Sequence, residues 1–163
     1  MAVTYFGNND TGNAHSSFTA SYTFAIRALN STVGTLTEIG VNIYYSAGTD
    51  KFRLGIYADS AGPAPGARLL DAGEIIPANL FTGWASITGL SLAVTSGYYW
   101  IAFNNYNTAD TICYNTAKDA VYTASAYGAL EDPYGTATAF PAYGMSLRAG
   151  VTPGGNNIVQ MLI

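Results

Sequence analysis

Hydrophobic and polar side chains alternate with a period of two along most of this chain, and no stretch sustains a helical period. In SYTFAIRAL, Tyr22, Phe24 and Ile26 share one face while Thr23, Ala25 and Arg27 share the other. In TEIGVNIYY the apolar set is Ile39, Val41, Ile43 and Tyr45, and in KFRLGIY it is Phe52, Leu54 and Ile56. Further strands are predicted over Leu69–Ile76, Trp84–Thr88, Tyr98–Asn104, Thr111–Asn115, Tyr143–Ala149 and Asn156–Ile163. These runs are rich in β-branched and aromatic residues, which suit a pleated, half-buried surface. Turn chemistry separates them: SAGTD after Tyr45, a Pro/Gly corner at 61–66, TSG before Tyr98 and TPGGNN before Ile158. The expectation is an all-β, single-domain β-sandwich or jelly roll over residues 1–163, with about eight to ten antiparallel strands.

Composition changes this picture in one respect. Charged residues make up 10 % of the chain and hydrophobic ones 49 %, against roughly 25 % charged in ordinary soluble domains. The polar surface must therefore come from Ser, Thr, Asn and Gly, which suits assembly with other copies or contact with neutral ligands such as sugars. The net charge is −4, and the six basic residues (Arg27, Lys51, Arg53, Arg68, Lys118, Arg148) are scattered. No basic footprint for nucleic acid exists. No apolar run approaches the ~18 residues of a membrane helix. The start, MAVTYFGNND, lacks the features of a secretory signal. The single cysteine, Cys113, reads as a buried thiol, and the lone His15 leaves no His- or Cys-rich zinc set.

The corner RLGIYADSAGPAPGARLL invites a functional reading of Asp59. Asp59 and Ser60 suit a turn start, Pro63 and Pro65 fix two φ angles, and Gly62 and Gly66 are free to take unusual ones. Asp59 is read as a turn-former. The run LGIYADSAGPAPGARLLDAGEI, followed by GWASITGLSLAVTSGYYWIAF, resembles a jelly-roll module of phage virion proteins (decoration or fibre type) and bacterial surface proteins. The matching positions are Gly55, Ile56, Tyr57, Asp59, Pro65, Gly66, Leu69, Leu70, Trp84, Gly97, Tyr99 and Trp100, and the likeness covers roughly residues 52–104. It implies a binding or structural unit, with trimers common among its virion members.

The candidate chemistry is sparse. The carboxylates lie mostly at turn-like places, no Ser-His-Asp arrangement or phosphate-binding glycine motif is present, and catalysis is not expected. Asp10, Asp59 and Asp110 offer carboxylates of the kind calcium takes, but ordinary turn aspartates are the preferred reading and no cofactor is expected. For sugars, Asn104, Asn105, Tyr106 and Asn107 in NNYNTAD offer an aromatic face beside amides; Trp84 and Trp100 are read as core. The segment from Ala117 to Ala142 follows no period and is rich in aromatics. It either folds back over the sandwich, with a short strand or hairpin, or forms an interface. Assembly candidates are Tyr122, Tyr127, Tyr134 and Phe140, with Met161, Leu162 and Ile163 of the apolar final strand. The leading expectation is a non-enzymatic virion protein that associates with copies of itself and docks onto other virion proteins. A carbohydrate-binding or adhesion module of a bacterial surface or secreted protein is the alternative.

Overall fold

The alternating faces close on one another as two antiparallel sheets. The structure is a computed structural model that describes residues 2–12, 14–108, 110–115, 119–140 and 143–154. Along them run β1 (Thr4–Gly7), β2 (Ala14–Ser17), β3 (Tyr22–Asn30), β4 (Gly34–Tyr45), β5 (Phe52–Asp59), β6 (Pro65–Ile75) and β7 (Gly83–Val94). They are followed by β8 (Gly97–Asn105), β9 (Thr111–Asn115), β10 (Ala120–Ala124), β11 (Thr138–Ala139), β12 (Gly144–Met145) and β13 (Leu147–Pro153). The first sheet has the order β1-β13-β4-β9-β12, with β7 also paired to β4 and β2 to β9. The second has the order β11-β10-β3-β8-β5-β6. This is a β-sandwich, as the alternation predicts. The predicted final strand, 156–163, lies outside the described residues.

The inward faces are those the pattern names, except that Tyr45, at the end of β4, is exposed. Ile39, Val41, Ile43, Leu54, Ile56, Ile101 and Leu147 are fully buried between the sheets, with Phe24, Ile26, Phe52, Phe103 and Ile112 beside them. Each such side chain contributes about 1.5–3 kcal/mol on burial. A one-residue slip would turn every one of them to water, so the register is fixed.

Three details depart from the expectation. The strand predicted over Tyr143–Ala149 is two strands. At Ser146 the chain leaves β9 for β4: the Ser146 amide donates to the Cys113 carbonyl, and its own carbonyl accepts from Asn42 N–H, both at 2.9 Å. At the corner, β6 already starts at Pro65, opposite Asp59. The left-handed residue there is Ala61 (φ 58°), and neither Gly62 nor Gly66 is among the positive-φ positions. Asp59, finally, is more than a turn-former. Its carboxylate takes two bonds from Arg27 of β3 (2.9 and 2.7 Å) and one from the Trp100 indole of β8 (3.1 Å). It ties three strands of the second sheet across their outer face. Arg27 beside it holds the Asp59 carboxyl below its ordinary value.

That outer face is itself covered. Ala25, Tyr57, Trp100, Ala102 and Val121 form a second, smaller core with Leu130 and Tyr134, on the side facing away from the first sheet. The segment after β10 therefore folds back over the sheet, and β10 and β11 pair as its short-stranded ends. Tyr134 donates to the Thr23 carbonyl at 2.7 Å, and Tyr57 donates to the Glu131 carbonyl at the same distance. Gly55 makes this close approach possible. A Cβ there would stand 2.3 Å from Leu130 Cδ1 and 2.6 Å from the Leu70 carbonyl oxygen.

Candidate functional site

Where both sheets end on the same side, between β10 and β11 of one and β2 and β12 of the other, their edges leave a cleft of about 500 Å³. Ser16, Ser17, Phe18 and Thr19 form one wall, Tyr22, Phe24 and Tyr122 another, and Ala139, Phe140 and Tyr143 close it. The local sequence explains the wall. In HSSFTASYTF, β2 turns Phe18 inward, where it meets Phe24 edge-on at 5.1 Å and Phe103 at 5.7 Å. The hydroxyl residues around it stay outside, with Ser17 and Thr19 exposed. Phe140 stacks on Tyr143 at 4.4 Å with the rings 13° apart, and Tyr122 meets Phe140 edge-on at 5.4 Å. Phe18 and Phe24 are buried, whereas Tyr22, Tyr122, Phe140 and Tyr143 each keep part of a ring accessible.

Three properties follow. The volume falls within the ~300–1,000 Å³ of ordinary ligand sites. Among the described residues its lining carries no charged side chain. Partly exposed rings beside hydroxyls offer both apolar faces and hydrogen-bonding groups, which selects a neutral, amphipathic guest.

The residues singled out in the sequence divide between several places. Tyr122 and Phe140 line the cleft. Tyr134 is buried in the smaller core. Tyr127 donates to Glu74 at 2.6 Å, and burial raises its pKa. Met161, Leu162 and Ile163 lie outside the described residues. Asn104 and Asn105 are corrected as ligand contacts, because both are buried and their amides are engaged internally. Asn104 Nδ2 bonds the Tyr22 and Ser125 carbonyls (3.1 and 3.2 Å) and Thr23 Oγ1 (3.2 Å). Asn105 Nδ2 bonds the Phe18 carbonyl at 2.8 Å and the Asn107 carbonyl. Tyr106 is exposed beside Tyr127 (ring centroids 5.4 Å apart) and, like Asn107, is not part of the cleft.

Trp100 is buried as expected, though on the outer face of its sheet. Trp84 is only half-buried and sits on the outer face of the first sheet, where Arg148 lies 4.3 Å from both its ring and that of Tyr5. The cleft residues that sequence reasoning missed are Ser16, Ser17, Phe18, Thr19, Tyr22, Phe24 and Tyr143. Their one signal was a phenylalanine flanked by three hydroxyl residues in a stretch otherwise read as loop.

The sequence matches no protein-family model and no curated protein. Among solved structures the chain is similar to the cysteine protease and lectin-like domains of Cwp84, a surface layer associated protein of Clostridium difficile. The TM-score is 0.51 at 11 % identity, over 82 % of this chain and 32 % of that one. This chain thus spans about a third of the length of that solved chain. At this identity the likeness is one of fold.

Proposed function

We propose that this chain is a non-enzymatic carbohydrate-binding or adhesion module, and that its site is the aromatic cleft between the sheet edges. The observation that carries this is the lining: six aromatic rings and three Ser/Thr residues around about 500 Å³, with no charged side chain among the described residues. A pyranose presents a C–H face that rests on an aromatic ring and hydroxyls that bond polar groups beside it. An uncharged wall favours neutral sugars over uronic or sialic acids. The fold shared with a structure that includes lectin-like domains of a surface layer associated protein adds support to a module that works outside a cell.

The test is a screen of neutral and acidic oligosaccharides followed by titration calorimetry on the parent, Tyr122→Ala and Phe140→Ala. Binding of a neutral glycan that falls at least tenfold in either variant, measured below the melting temperature of the folded variant, is the expected result. Absence of neutral glycan binding, or binding that survives both substitutions, overturns the assignment. Light scattering on the same samples addresses the virion reading, which keeps the sequence resemblance as its support. A stable oligomer without glycan binding would favour that reading.

A further inference from the structure

Two buried aspartates meet at the sandwich end, in the loops that lead into β5 and β9. Asp50 is 0 % exposed and Asp110 2 %. Asp110 N–H donates to Asp50 Oδ2, Asp110 Oδ1 accepts from Ala47 N–H at 2.7 Å, and the two carboxyls lie within hydrogen-bonding reach of each other. That leaves Asp50 Oδ1 and Asp110 Oδ2 buried with no partner. Asn105 adds a third such oxygen. It is 2 % exposed, stands opposite Phe52 in the register, and is followed by Tyr106, whose N–H bonds the Lys51 carbonyl at 2.9 Å. Because its Nδ2 donates to two carbonyls, its Oδ1 is left buried without a donor.

Among the described residues no cation is paired with either aspartate. Lys51 is adjacent in sequence, but its ammonium lies 3.6 Å from Glu74 Oε1 and over the Tyr106 ring. Burial, and then the charge of Asp110, push the Asp50 carboxyl above its ordinary value. Three unsatisfied oxygens, two of them anionic, are what a hard divalent cation binds. Calcium takes six to eight oxygens in irregular geometry, while magnesium demands a near-ideal octahedron. No group of three or more His, Cys, Asp or Glu is present among the described residues, so this is a two-carboxylate, one-amide set of the kind calcium completes with loop carbonyls and water.

We propose that Asp50, Asp110 and Asn105 form a calcium site that joins the two loops and braces the cleft. Asn105 carries that brace, since its amide holds the carbonyl of Phe18, which lines the cleft wall. The site stands independently of what the cleft binds.

The experiment uses the whole chain, stripped with EDTA and titrated with CaCl2 at pH 7.5, with MgCl2 in parallel. Calorimetry and thermal melting provide the readouts. A single saturable calcium site, a rise of several degrees in Tm and a much weaker magnesium effect are expected. Asp50→Asn and Asp110→Asn each abolish the calcium response. They also leave the metal-free protein as stable as the metal-free parent or more so, because like-charge repulsion is relieved. Asp10→Asn, at an exposed carboxylate, responds to calcium as the parent does. No calcium response in the parent at millimolar concentration, or one that survives Asp50→Asn, overturns the proposal. In the first case the two aspartates share a proton instead.

Discussion

Replacing Gly55 with alanine tests how the outer core is held. The new methyl group would lie 2.3 Å from Leu130 Cδ1 and 2.6 Å from the Leu70 carbonyl oxygen. Leu130 can swing aside, but Leu70 belongs to the neighbouring strand and its backbone is pinned by the β5–β6 ladder. Overpacking of this kind costs about 1–3 kcal/mol. Displacing Leu130, 2 % exposed in the native protein, forfeits up to about 1.5–3 kcal/mol of burial. Against this, alanine gains about 0.5–1 kcal/mol over glycine by restricting the unfolded chain.

The net expectation is a loss of about 2–4 kcal/mol, read as a lower urea midpoint with little change in m. Leu130→Ala alone costs about 2–5 kcal/mol. In the double variant the alanine Cβ enters space that Leu130 has left, so the two losses fall short of additive by at least about 1 kcal/mol. A Gly55→Ala protein within 0.5 kcal/mol of the parent would refute the argument, and so would strict additivity, on the accuracy such cycles reach.

Tyr134→Phe keeps the ring edge-on to Tyr57 at 5.2 Å but removes the bond to the Thr23 carbonyl. It should cost about 1 kcal/mol in urea unfolding and leave glycan affinity alone, since Tyr134 lies outside the cleft. The pH dependence of stability in EDTA has two arms of opposite sign. Asp50 is raised in the native state to about 6 from 3.8, so its contribution is complete below 3.8 and is lost as pH rises through 6. Asp59 is lowered by Arg27, so its contribution is present above 3.8 and lost as pH falls through its folded value. Melting in EDTA from pH 3 to 8 should show the upper arm disappear in Asp50→Asn and the lower arm shrink in Arg27→Met. Persistence of the upper arm in Asp50→Asn would refute the first assignment.

The core faces of β3, β4 and β5 were legible because each is long enough to show its period, although Ala28 and Leu36 went unnamed and Tyr45 was placed inward by alternation where the end of β4 leaves it exposed. β1 and β2 were not, because each has four residues and largely polar neighbours. The transfer at Ser146 left no trace either, since both strands it joins keep inward apolar residues and the change of partner lies in backbone hydrogen bonds. Between Ala117 and Ala142 the excess of aromatics was visible in the sequence, but their destinations were not. Tyr134 packs with Leu130 and edge-on to Tyr57, Tyr127 reaches Glu74, and Tyr122 and Phe140 line the cleft, although all four are aromatic and in similar company. Asn104 and Asn105 misled for a related reason. An asparagine that bonds loop carbonyls inside a protein reads, in sequence, like one that bonds a sugar outside it.

The position of β13 between β1 and β4 has a consequence for how the protein comes into being. Thr4 pairs with Val151 and Gly7 with Arg148, so the strand made first borders the strand made last among those described. While the chain is being synthesised, β1 has no neighbour to pair with, and β4 has one side open until residues 147–153 emerge. Synthesis proceeds at about 5–20 residues per second, so the nascent chain carries unpaired apolar strands for seconds. The first sheet then closes in one late event that joins the two ends of the fold.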